Sequence, residues 1–346
     1  MKNRDDKFLK KRFLPPFAIL FLFSFLQGCG LPYVVKQGSI HLSHINSRKP
    51  IETLLKNPKK YNLTQDEVQK LMLIQKVRSF AIEKTGLKSS KNYTTYVKFP
   101  DQRKNLVYLV TACEKLELKP YTWSFPFVGK VPYKGFFALE DAQSEAHELR
   151  KKNENFDIYI RGSIAFSTLG WFSDPVYSTV LQLEPIDLMD LIFHEMTHDT
   201  IYLKDSAELN ESLATFVGGE ATLLYLGEVY GKNSQEYNLQ LGKMHDAKLF
   251  SKFMKDTENL LTKLFKSNMP EDHKLTEKEK IFEESKKRYK KSSFKTHDYD
   301  YYLKLPLNNA IIVALQTYYT GFDEFENKFH SFNGDFRKFI SFYKEQ

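Results

Sequence analysis

Apolar positions along this chain keep two periods as far as residue 165 and only the helical one after residue 185. Val68, Leu71, Met72, Ile74 and Val77 recur at helical spacing behind Thr64 and Glu67, a capping-box pair, so the pattern predicts an amphipathic helix ending near Gly86. Residues 93–99 and 106–113 are β-branched and aromatic runs around the polar 102–105, the signature of a β-hairpin. A helix over 139–152 then leads to a strand over 156–161.

From Pro185 onward helices follow one another across short polar turns, with later ones over 233–265, 275–290, 307–318 and 336–343 and loops at 267–274 and 290–300. The expected class is therefore α+β, a small mixed sheet followed by a mainly helical C-terminal half. Residues 30–50 have no clear periodicity and read as a tether. The organisation expected is a leader over 1–28, a tether over 29–50 and one compact unit over 51–346, divided into 51–155 and 156–346.

Composition narrows the class: 42% apolar and 15% aromatic residues among 346 suit a chain with a large core. The formal charge of +8 would suggest nucleic acid, but half of it lies in the first 28 residues, where six Lys and Arg oppose Asp5 and Asp6. The densest remaining cluster, 286–291, sits on a polar helical pattern without aromatic or Gly-rich readout residues, so it reads as a solvated face and no nucleic-acid partner is expected.

Behind the basic start comes an apolar run over 17–26, broken only by Ser24. Ten helical residues rise roughly 15 Å, half of what a bilayer core demands, so the run is a signal-peptide core and not a span. The ending Leu26-Gln27-Gly28-Cys29 resembles a bacterial lipobox. That resemblance implies an acylated Cys29 as the first mature residue and a membrane-anchored location in the cell envelope; Gly30 leaves open which membrane. With Cys29 lipidated only Cys113 remains, so no intramolecular disulfide forms, and Cys113 reads as a buried small hydrophobe.

The chemistry is concentrated in residues 193–220. His194-Glu195-Met196-Thr197-His198 puts two imidazoles one helical turn apart on one face, as two zinc ligands require, with Glu195 about 100° round from the first. Leu188, Met189, Leu191, Ile192, Phe193, Met196 and Ile201 make this helix apolar almost all round. Two His and a Glu on a buried helix are costly unless a metal and its water satisfy them.

A third ligand is needed. The helix should run to near Leu203, reverse over 204–207 and return from a cap at Asp205, which brings Glu211 back to the level of the His pair. Thr215, Gly218, Gly219 and Thr222 continue its face and are small enough for close helix contact. Glu208 suits the capping position better, and Glu220 lies more than two turns beyond Glu211.

His194-Glu195-x-x-His198 followed by Asn210-Glu211-Ser212-x-Ala214 resembles the gluzincin pattern. With Val131-Pro132-Tyr133-Lys134-Gly135-Phe136-Phe137, Gly170-Trp171-Phe172-Ser173-Asp174-Pro175 and Pro306-Leu307-Asn308-Asn309-Ala310, most of the mature chain resembles the bacterial family of predicted aminopeptidases. The resemblance implies a zincin-like fold and a metallopeptidase in which Zn2+ is held by His194, His198 and Glu211, with Glu195 as general base and a peptide as substrate.

Tyr177, Tyr202, Tyr299 and Tyr301 are candidate donors to the reacting carbonyl, and Asp199, Asp205 and Thr215 candidate partners of the imidazoles. Residues 156–167 supply an edge strand for the substrate backbone, Trp171 and Phe172 a specificity surface, and Asp174 or Glu220 a counter-charge for a substrate ammonium. The competing class is a non-enzymatic envelope lipoprotein with a structural or inactive metal site; a third reading is hydrolysis of a non-peptide amide in the cell wall. Sequence assigns no oligomeric state.

Overall fold

The computed structural model describes residues 31–101, 103–125, 129–165 and 173–346. The leader, Cys29, Trp171 and Phe172 lie outside the described residues. The chain divides into two compact units between Asn46 and Ser47. In the first lies α1 (Leu31–Ser47), helical where the sequence pattern predicts an aperiodic tether. Val34, Val35 and Leu42 are exposed, so no single apolar stripe marks this helix in the sequence.

The second unit is mixed. In chain order it contains β1 (Lys49–Pro50), α2 (Ile51–Lys56), α3 (Gln65–Phe80), β2 (Thr95–Val97), β3 (Val107–Glu114), β4 (Trp123–Phe125), β5 (Gly129–Val131), β6 (Lys134–Phe136), α4 (Leu139–Lys152), β7 (Phe156–Ser163) and β8 (Val176–Tyr177). The helical half follows as α5 (Pro185–Thr200), α6 (Ala207–Val229), α7 (Gln235–Phe265), α8 (Glu271–Lys291), α9 (Asn309–Gln316), α10 (Phe322–Ser331) and α11 (Phe336–Lys344). No described helix is long and apolar enough to cross a membrane.

The expected hairpin does not form. β2 pairs antiparallel with β1 and parallel with β8, whereas β3 is the centre of a separate antiparallel sheet in the order β6–β3–β7. Leu106, Val107, Val110, Ala112 and Cys113 are all buried, and a strand with so little exposed face gains more at a sheet centre than in a two-stranded ribbon. β7 runs along β3 from Val107↔Ser163 to Glu114↔Phe156, and its other edge has no strand partner among the described residues.

α9 docks on β3 and β7 through polar pins. Asp157 Oδ2 accepts from Lys278 Nζ and from the Asn309 backbone N–H, both at 2.9 Å, while Asn309 Nδ2 donates to Glu114 O at 2.7 Å. The Asn308 side chain caps the helix by accepting from Ile311 N. These bonds fix where the chain leaves α9, and residue 318 with it.

The principal core joins α3, α5 and α6 through Leu71, Ile74, Leu188, Phe193, Leu213 and Val217. α3 starts at the capping box, with Thr64 and Glu67 exchanging bonds of 2.8 and 3.1 Å. α5 stops at Thr200, a turn earlier than the pattern predicts, because the Asn210 side chain takes both polar groups of Leu203: Leu203 N donates to Oδ1 at 2.8 Å and Nδ2 donates to Leu203 O at 2.7 Å. Asp205 does not cap α6. Its φ is +59° and its Oδ1 accepts from Lys130 N, so it ties the reversal to β5 instead.

Gly218 faces α5 and Gly219 faces α7. A Cβ on Gly218 would fall 2.3 Å from Asp190 Oδ1 and 3.0 Å from Asp190 O, whereas one on Gly219 would meet Met244 at an ordinary 3.5 Å. Only glycine at 218 lets the two helices approach this closely. Gly218→Ala is therefore expected to destabilise the chain by about 1–3 kcal/mol in urea unfolding, with Gly219→Ala costing less.

Candidate metal centre

α5 carries His194 and His198 on one face, and their Nε2 atoms lie 3.1 Å apart with the rings nearly perpendicular, at 83°. α6 returns Glu211 to the same level, with Oε2 at 3.4 Å from each Nε2. Donor atoms of the three residues all lie within 4.8 Å of one another; Glu208 and Glu220 are not in the group.

The donor set suits a divalent ion of the zinc class. With ligand bonds of about 2.0–2.1 Å, two ligand atoms at a tetrahedral angle sit about 3.3 Å apart. The three separations here are 3.1, 3.4 and 3.4 Å. Beside the group, Glu195 Oε2 is buried without a hydrogen-bond partner.

Burial alone would raise the Glu211 carboxyl, but the two imidazoles hold it well below the usual carboxylate range. His198 is raised: burial works against its charged form and Glu211 outweighs that. Glu195 is raised by burial, which its His neighbours offset only in part.

Three further side chains complete the surroundings. Tyr133, just before β6, donates from its hydroxyl to Glu211 Oε1 at 3.0 Å. Arg161 of β7 donates from Nη2 to the Tyr318 hydroxyl at 2.8 Å and lies over that ring at 4.8 Å. Burial disfavours the guanidinium, but Tyr318, Glu211 and Tyr133 outweigh it and hold the charge. Tyr318 is stacked 6.4 Å from the His194 ring, its phenol pushed up to about 12 chiefly by burial. Ser212 ties this corner to α6: its Oγ donates to Thr317 O and accepts from Thr320 N, each at 3.2 Å.

The other candidates are spread over several places. Tyr299 stacks on Phe250 at 4.4 Å in the second core cluster, and Tyr301 is exposed. Tyr177 is buried, and Tyr202 is partly exposed, near Asp205 and Glu211. Asp199 pairs with Lys88 at 3.3 Å, and Thr215 donates to Glu211 O at 2.8 Å. Asp174 is fully buried, its N–H donating to Asn92 Oδ1. Cys113 is fully buried and donates from Sγ to Glu117 O; burial pushes its thiol up to about 12.

Tyr133, Arg161 and Tyr318 carry signals that could have found them. Tyr133 and Tyr318 belong to or follow the motif stretches, and Arg161 is a lone cation at the end of an apolar strand pattern.

A family model described as "Putative aminopeptidase" matches residues 32–345. No curated protein and no solved structure gives a significant match.

Removing the outer partner of a metal ligand commonly costs ten- to a hundredfold in affinity. For a divalent ion held by His194, His198 and Glu211, Tyr133→Phe is thus expected to weaken binding by about tenfold or more, read by competition with a chromophoric chelator. A second prediction concerns Glu220, which burial and Glu326 push from 4.5 up to about 7. Between those values the folded chain holds a proton that the unfolded chain has released, so stability falls as pH rises through that window and levels off above it. In thermal melts, Glu220→Gln should remove that part of the slope and gain on the parent chain as pH is raised.

Proposed function

The chain belongs to the family described as "Putative aminopeptidase", and on that footing we propose that it is a zinc-dependent peptidase of gluzincin type, acting as an aminopeptidase of the bacterial cell envelope. The observation that carries this reading is the meeting of His194, His198 and Glu211 at 3.1–3.4 Å beside the unpartnered, buried Glu195 oxygen.

A zinc-class ion held by those three residues would supply Lewis acidity at the scissile carbonyl and lower the pKa of a water from 15.7 to about 7. The remaining work falls to the chain. Glu195, whose carboxylate burial makes a stronger base, accepts the proton from the attacking water and returns it to the leaving nitrogen.

Tyr318 accepts a hydrogen bond from Arg161, which leaves its own proton free to be donated to the carbonyl oxygen as charge develops there. Arg161 fixes the phenol and adds a cationic field in a site where water is scarce. The edge of β7 that has no strand partner among the described residues suits a substrate strand running past Arg161. Acylation of Cys29, tethering the body to a membrane, belongs to the same reading and is supported by the lipobox-like ending of the leader.

Glu195→Gln is expected to leave the zinc content of the purified chain unchanged and to lower peptide hydrolysis by about 10²–10⁴-fold. Aminoacyl and internally quenched peptides, assayed in parallel, separate exopeptidase from endopeptidase action. Wild-type hydrolysis in the variant would overturn the reading, and zinc without hydrolysis of either class in the parent chain would mark a structural ion.

A further inference from the structure

Glu195 Oε2 and the hydroxyl of Tyr93 are both buried without a hydrogen-bond partner. Unpaired buried polar atoms are rare enough that each calls for an explanation. Both residues line one cavity of about 10 Å³, whose other walls are Tyr177 and apolar side chains such as Val176, Val180 and Ile192. That volume is about what one water occupies.

The backbone at Tyr93 is as unusual as its side chain. Its φ is +60°, the left-handed region; the other non-glycine residues found there among those described are Asn62, Asp205 and Asn333. Asn and Asp tolerate that conformation, whereas a bulky aromatic does so only when its surroundings impose it.

Here they do. Tyr93 N donates to Asp174 O at 2.8 Å, and Tyr93 O accepts from Gln75 Nε2 at 2.8 Å. On the preceding residue, Asn92 Oδ1 accepts from Asp174 N and Asn92 O accepts from Arg78 Nε, both at 2.9 Å. Two distant segments, α3 and the chain before β8, hold this residue in a strained form. The result is a phenol directed at the back of Glu195. Packing alone would not need the strain, since an aromatic ring in relaxed backbone fills a core equally well.

We propose that Tyr93 is a positioning residue for Glu195: its hydroxyl donates to Oε2, directly or across one enclosed water, and fixes the carboxylate in the orientation from which it takes a proton. The kinetic part rests on the peptidase reading; the contact itself does not.

The test is a double-mutant cycle with Tyr93→Phe and Glu195→Gln on the full chain. In metal-free protein unfolded by urea, the two substitutions should be non-additive by about fivefold or more in the unfolding equilibrium constant; additive effects would overturn the proposal. In zinc-loaded protein, Tyr93→Phe should keep the metal content and leave KM within about twofold while kcat falls about tenfold or more. An unchanged kcat in active protein, or a loss that follows the zinc content, would equally overturn it. Gln75→Leu, which releases the Tyr93 carbonyl but keeps the phenol, should lower kcat in the same direction at constant KM and serves if Tyr93→Phe does not fold. Coupling in the unfolding cycle with no hydrolysis by any form would sink the peptidase reading and leave the Tyr93 contact standing.

Discussion

The structure depends on how closely α5 and α6 approach. Glu211 reaches within 3.4 Å of both imidazoles only because the two helices lie nearly in backbone contact at Gly218, where Asp190 occupies the space a methyl group would need. A hydrophobic interface alone tolerates small slides along the helix axis; a carboxylate that must meet two ring nitrogens does not. Asn210 secures the register by holding both main-chain groups of Leu203, which converts the reversal into a fixed distance between the His pair and the next residue, Glu211.

Around that helix pair the mixed half of the molecule acts as a frame. β6 and its approach bring Tyr133 to Glu211, β7 brings Arg161, and the Asp157–Lys278–Asn309 pins seat α9 so that Tyr318 arrives over Arg161. Each side chain around the candidate centre comes from a different element. Charge is balanced across this set: the Arg161 guanidinium lies near Glu211, and its field reaches Tyr318 and Tyr133 as well. Removing one element would leave buried charge without its complement, which costs more than the contact itself contributed.

Helical periodicity made the α5–α6 pair legible, because i, i+4 spacing and a short reversal suffice to bring His194, His198 and Glu211 together. The capping box at Thr64 is equally local. What resisted reading was non-local. The pairing of β2 with β8 and of β3 with β7 is decided by burial of whole strands, so two adjacent β-runs with a hairpin pattern join different sheets. Asp205 looked like a helix cap and serves instead as an acceptor for a β-strand amide. Tyr93 follows the turn formers Ser89, Ser90 and Asn92, but a turn there does not single out the aromatic as its left-handed residue. α10 is a different case: Phe322, Phe325 and Phe329 sit at helical spacing and are all buried, a signal as local as that of α5.

Cys113, on the central strand of the β6–β3–β7 sheet, sets how this part of the chain meets thiol chemistry. With its thiol held near 12, only about one molecule in 10⁵ is a thiolate at neutral pH. Since Cys113 is the cysteine among the described residues and is wholly enclosed, that part of the chain offers thiol reagents and disulfide exchange no sulfur to attack, whereas the exposed Met72 and Met269 stay open to oxidants. No disulfide joins the described residues, so a reductant finds no crosslink there to open.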